Sequence, residues 1–279
     1  MSEAILLAPR KGEVIGDSAD RRVEILSDGD ELHATWSRFG PGREGADLHV
    51  HRRHTDLFYV LAGELTVRLG PADETATAQP GMLARVPPLV VHGFRNRSDA
   101  ELRYLNFHAP GQGFADYLRA VRDGRTLVYD QEEPPADGGR PPAEASIGRG
   151  ELVADRPGLR VALLADVDEI GICEVTSDPG GPSPPAHVHA SHSESFYVLE
   201  GELTFVVGEQ ALAAGPGTWV HVPAGIPHTF ELHGAEQVRF LDIHAPGSGF
   251  GDFVRALHNA RDEDESAAAA RARFDQVPA

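Results

Sequence analysis

The 279-residue chain has one cysteine, Cys173, two methionines and two tryptophans. A single cysteine forms no intrachain disulfide, so nothing requires an oxidising compartment. Positive charge is also scarce: 25 Lys and Arg stand against 43 Asp and Glu, a net charge of -18. With no basic block to offset that balance, a phosphate backbone would be repelled, and no nucleic-acid partner is expected. Long apolar runs are missing as well. Ala4 to Ala8 is too short for a leader core and follows Glu3, and no stretch has the length of a membrane span. A cytoplasmic protein with no membrane partner is the expectation.

Glycine, proline and histidine are abundant, and their placement organises the chain. Gly181 to Gly201 reads GPSPPAHVHASHSESFYVLEG and sets His187, His189 and Glu194 at H-x-H-x4-E. If the HVH tripeptide is a strand, the two-residue period puts both imidazoles on one face. The apolar run Phe196 to Leu199 reads as the next strand, with Glu194 near its start. Downstream, Gly217, Pro223, Gly225 and His228 form G-x5-P-x-G-x2-H. Three imidazoles and a carboxylate suit a first-row divalent metal.

The chain repeats itself. Arg21 to Gly63 aligns without a gap on Leu159 to Gly201 at an offset of 138, and Leu105-Asn106-Phe107-His108-Ala109-Pro110-Gly111 falls on Leu241-Asp242-Ile243-His244-Ala245-Pro246-Gly247 at 136. The stretch from Asp130 to Ala143, rich in Pro, Gly and acid, reads as a linker, which predicts domains of 1–138 and 139–279. Short β-branched segments between turn residues predict an all-β barrel or sandwich in each copy. Phe114, Tyr117, Leu118 and Val121, and then Phe250, Phe253, Val254 and Leu257, predict a short helix closing each copy. A last helix is expected around Ala267 to Phe274, its start disordered.

The paired motifs resemble those of the cupin superfamily. The resemblance covers nearly the whole chain and implies two tandem double-stranded β-helix (jelly-roll) barrels. It implies metal ligation by His187, His189, Glu194 and His228, and in the first copy by His49, His51, Asp56 and His92. Each site would take a divalent transition metal: Fe, Mn, Ni, Co, Cu or Zn. Glu194, and Asp56 in its copy, would also serve as the proton acceptor in catalysis. The chain departs from the family pattern with Leu232 where Asn is usual, Asp56 in place of Glu, and Arg43 and Leu89 in place of Gly. The last two predict altered turns before His49 and His92, and the second site is expected to bind metal more tightly.

Within the family the chain resembles quercetinase-like two-domain dioxygenases, which implies dioxygen and a small aromatic or enolisable molecule as partners. Oxalate decarboxylases carry an Arg where this chain has Ala46 and Pro184, which argues against oxalate. A non-redox metalloenzyme (isomerase, cyclase or decarboxylase) and a metal-containing binding protein are the alternatives, and a homo-oligomer is open. His54 and His192 read as turn or supporting residues, His108 and His244 as structural hydrogen-bonders, and Cys173 as core. Arg68 or Arg85 would anchor an anionic substrate if either points inward; a solvated strand face is the commoner reading.

Overall fold

Turn residues cut the sequence into short strands, and the computed structural model assembles them into two all-β units, each with one short helix. It describes residues 3–232, 234–247, 249–259, 269, 271–272 and 274–279. Among these, no helix is long and apolar enough to cross a membrane.

In the unit of residues 12–149, a seven-stranded sheet runs in the order Ser146–Gly148, Leu83–Val86, Thr55–Ala62, Leu102–Ala109, His33–Phe39, Arg21–Asp28, Glu13–Asp17. A second sheet holds Glu74–Ala78, Leu65–Leu69 and His92–Arg95. The other unit, residues 150–279 with 3–11, repeats the plan. Its seven strands run Ile5–Leu7, Trp219–Val222, Ser193–Glu200, Val238–Ala245, Ile170–Ser177, Leu159–Val167, Glu151–Arg156. Its second sheet adds Gln276–Pro278 to Gln210–Ala214, Leu203–Val207, His228–Glu231 and His187–His189.

The units therefore do not divide at residue 138. Ser146–Gly148 pairs with Leu83–Arg85, and Ile5–Leu7 pairs with Trp219–His221 at the matching position. The strand completing each large sheet is the one that precedes the other copy in sequence. Backbone hydrogen bonding selects these edges, and composition carries no trace of it.

Alternation along the strands turns one set of side chains into each barrel, where the aromatic core and the polar pocket share the same face: Phe58 follows Asp56 by two residues, and Phe196 follows Glu194 by two. Phe39, Phe58, Val67 and Tyr104 pack together in the first unit, and Phe196, Phe205, Val220 and Phe240 in the second. Helix Phe114–Arg122 lays Ala115 and Leu118 on Ile15, Val23 and Ile25, but Val121, expected in its apolar stripe, is 53% exposed. Helix Phe250–Asn259 buries Phe250 and Val254 against Ala154, Val161, Leu163 and Cys173. Burial pushes the Cys173 thiol well above its ordinary pKa, which suits a packing role. The helix expected at 267–274 lies mostly outside the described residues, and Phe274 itself sits in a turn.

The expected change of turn before each first-copy histidine is not observed. Leu89 adopts φ +66° where Gly225 has +83°, and the same hydrogen bond forms in both, Leu89 N to His51 O and Gly225 N to His189 O, each 2.7 Å. The earlier turn places its left-handed residue on Gly42 and Gly180, one position before Arg43 and Gly181, so Arg43 needs no unusual backbone. A branched side chain in the left-handed region costs energy that glycine avoids. Leu89→Gly is therefore expected to stabilise the first unit by about 1 kcal/mol, read as a higher denaturant midpoint with unchanged slope; a lower midpoint would contradict it.

Candidate metal centres

All eight predicted ligand residues are buried, and they meet in two clusters. In the second unit, His187–His189 places two imidazoles on one face, and His228 opens the neighbouring strand directly opposite His187. Glu194, the second residue of Ser193–Glu200, reaches them from the large sheet. Its Oε2 lies 2.5 Å from His228 Nε2, 2.9 Å from His189 Nε2 and 3.5 Å from His187 Nε2. In the first unit Asp56 Oδ2 stands 3.3 Å from His92 Nε2 and 3.7 Å from His51 Nε2. Losing one methylene leaves that carboxylate farther from its histidines, and the strands do not close the difference.

Backbone carbonyls fix which ring nitrogens face inward. His187 Nδ1 donates to Pro185 O and His228 Nδ1 to Ile226 O, both 2.8 Å. In the first unit His49 Nδ1 donates to Asp47 O at 2.7 Å, His92 Nδ1 to Val90 O at 2.9 Å, and His51 Nδ1 to Asp130 O. With Nδ1 carrying the hydrogen, each neutral ring turns a lone pair at Nε2 toward the cluster. His49 and His51 thus face each other Nε2 to Nε2 at 3.2 Å, an arrangement repulsive unless a cation or proton lies between them. This donor set, three nitrogens and a carboxylate oxygen, fits a divalent transition metal.

Charge supports the same reading. Burial would raise the Asp56 carboxyl, but the neighbouring His108, His51 and His92 hold it well below its ordinary range. Burial acts likewise on Glu194, where His244, His228, His187 and His189 prevail and keep it ionised. For His228, burial opposes the charged ring and the adjacent Glu194 overcomes it, raising its pKa. Burial, with His92 and His51 adding to it, lowers His49 to about 3.

Around each cluster lies a layer that the sequence only partly disclosed. His54 and His108, read as supporting residues, are joined: His108 Nδ1 lies 2.9 Å from His54 Nε2, and His108 Nε2 lies 3.1 Å from Asn106 Oδ1. Asn106 Nδ2 in turn donates to Asp56 Oδ1 at 2.5 Å. His192 Nε2 and His244 Nδ1 meet at 3.0 Å in the second unit, where Asp242 replaces Asn106. Burial pushes the Asp242 carboxyl up, with His244 opposing and Glu194 reinforcing.

The stretch read as a linker is part of the site. Asp130 is buried and accepts from Arg52 N at 3.0 Å, Arg53 N at 2.8 Å and His54 Nδ1 at 3.0 Å, while Glu132 pairs with Val50. Asp275 does the same in the second unit, accepting from Ser191 N and Oγ at 2.7 Å each. Tyr129-Asp130-Gln131 and Phe274-Asp275-Gln276 are thus one repeated block at an offset of 145. Its signal was the shared Asp-Gln dipeptide after each helix. A variable helix-to-block spacing and proline-rich surroundings hid it.

Each cluster opens on a cavity. The second unit's, about 450 Å³, has a wall of Phe230, Phe240, Phe250 and Val175 beside His187, His189, Glu194 and Asp242. The first unit's is about 250 Å³, with Arg21, Arg43, Thr35 and Ser37 beside His49, His51 and Asp56. Arg68 and Arg85 line neither cavity: Arg68 forms a two-point pair with Asp73 at 2.7 and 2.9 Å, and Arg85 donates to Glu144 O at 3.1 Å. They do not anchor a substrate in this arrangement.

Two stretches, residues 35–108 and 173–244, match the family model described as the cupin domain, and the chain belongs to that family as a two-domain cupin. Among curated proteins it is similar to quercetin 2,3-dioxygenase of Bacillus subtilis (strain 168), 29% identical over 247 residues, covering 75% of this chain and 72% of that protein. Among solved structures it is similar to oxalate decarboxylase of Bacillus subtilis at pH 4.6, with a TM-score of 0.60, 18% identity, and 87% of this chain and 76% of that chain covered. A Trp-to-Tyr variant of that enzyme gives a TM-score of 0.61 at 17% identity, covering 87% of this chain and 77% of the other. At that identity the structural likeness speaks for the fold alone.

Proposed function

We propose that the protein is a metal-dependent oxygenase acting on a small aromatic or enolisable compound. The observation that carries this reading is the second cluster, three histidine nitrogens and Glu194 at one end of an aromatic-walled cavity of about 450 Å³. His187, His189, Glu194 and His228 would hold a metal there, and His49, His51, Asp56 and His92 would hold another in the first unit. A bound metal supplies a Lewis acid that lowers the pKa of a coordinated hydroxyl and, if redox-active, brings dioxygen and substrate together.

The chain's own residues supply the rest. Glu194, held ionised by its histidine neighbours, is the group placed to accept the proton released when the substrate hydroxyl ionises. The phenylalanine walls exclude water and hold an apolar ring system. The similarity to a quercetin dioxygenase supports this substrate class. Ala46 and Pro184, both in cavity walls, offer no cation to a small dicarboxylate. A second reading, proton transfer without dioxygen, rests on Asp242, a carboxyl with raised pKa beside ionised Glu194 in the same cavity.

Purification without chelators, followed by metal analysis and oxygen-electrode assays with flavonols, tests the proposal. The expected result is close to two ions of Fe, Mn, Ni, Co or Cu per chain and dioxygen uptake that depends on the flavonol. Zinc alone, or substrate conversion without dioxygen uptake, would overturn the oxygenase reading.

A further inference from the structure

Gln276 is one of the polar side chains of the second cavity, with His189, Asp242 and His258, that carry a buried atom without a hydrogen-bond partner among the described residues. It lies on Gln276–Pro278, paired with the ligand strand so that Gln276 is opposite His189 and Val277 opposite Val188. Directly opposed residues share a face. The Gln276 carboxamide thus enters the barrel beside the His189 ring, and Val277 turns outward and is 45% exposed. Gln276 is only 8% exposed, and its Oε1 is buried with no hydrogen-bond partner among the described residues. Leaving a buried carbonyl oxygen unpaired costs its hydration. The space that could supply a partner is the cavity it lines, together with His187, His189 and Glu194.

We infer that Gln276 is a substrate-positioning residue, its Oε1 accepting a hydrogen bond from a hydroxyl of an aromatic ligand held at the second cluster. Beside the cluster, Glu194 and Asp242 also present carboxyl oxygens, while Arg156, Arg271 and His258 line the same cavity. A hydroxylated aromatic brings the donors that the oxygens of Gln276 and Glu194 accept. The inference is particular to this unit, because Gln131, the matching residue, is exposed at a smaller cavity. It rests on the aromatic-substrate reading and narrows it.

The test measures anaerobic binding of quercetin to the metal-loaded protein by fluorescence quenching, so that turnover does not intervene. Gln276→Met keeps length and volume and removes the acceptor. The expected result is a roughly tenfold weaker Kd, the loss of one hydrogen bond, with metal content and Tm unchanged. Gln276→Ala should weaken binding at least as much. Quercetin binding unchanged in both variants would overturn the role of Gln276 and leave the aromatic-substrate reading standing. Loss of metal or a lowered Tm in both would make Gln276 a structural residue and also overturn it. A wild-type protein that binds no quercetin would overturn both this inference and the reading beneath it.

Discussion

Glu194→Ala is expected to lower metal content by about one ion per chain and turnover by about 10²–10⁴-fold, the range for losing a positioned proton acceptor. Among the described residues the carboxylate is the only anion in direct contact with the three ring nitrogens of its cluster, at 2.5, 2.9 and 3.5 Å. Without it a dication would be held by neutral ligands alone in a buried site, which is costly. Removing it also takes from His228 the neighbouring charge that raises its pKa. The variant should therefore fold and still bind an apolar ligand. Asp56→Ala should remove the other ion with a smaller effect on turnover, because its carboxylate stands farther from its histidines. Metal analysis by mass spectrometry and steady-state kinetics give both numbers. A content near one ion per chain in the wild type, unchanged by Asp56→Ala, would sink the two-site version.

Acid is expected to destabilise both units before most of the carboxylates titrate. Burial, with Arg119 and His54 adding to it, lowers His33 to about 3, and burial lowers His221 to about 4. In the unfolded chain both rings take up a proton near pH 6.5. Between that value and the folded one the unfolded state binds more protons, so stability rises with pH and is lost as pH falls. Each ring contributes a slope of up to about 1.4 kcal/mol per pH unit. His33 and His221 lie in different units, so each unit should lose about 2 kcal/mol between pH 6.5 and 4.5. Against a domain stability of about 5–15 kcal/mol this is a large share. Thermal melts across that range, with chelator present to separate metal loss from histidine protonation, should show a falling Tm. A flat profile would contradict the burial argument.

How much of this was legible beforehand follows from where each signal resides. The ligand sets were readable because a strand's two-residue period and the turn geometry of glycine and proline fix the spacing of His187, His189 and Glu194 locally. The duplication was readable because both copies keep these constraints. Leu89 misled because the positive φ is imposed by the hydrogen bond Leu89 N to His51 O, which tolerates a strained residue. Asp130 misled because proline-rich acidic composition resembles a linker, whereas its carboxylate is held by two backbone amides and His54. Val121 followed the helical period and is still 53% exposed, because period alone does not say how far the packed face of a helix extends.

By itself the sequence determined the all-β class, the two copies and the identity of eight candidate ligands, since these depend on local periodicity, turn chemistry and residue type. Only the tertiary structure decided which strand completes each barrel, which polar groups surround the clusters, and that one cavity is larger than the other. Those outcomes depend on pairing and packing between residues far apart in the chain, such as Gln276 beside His189, and no local pattern encodes them.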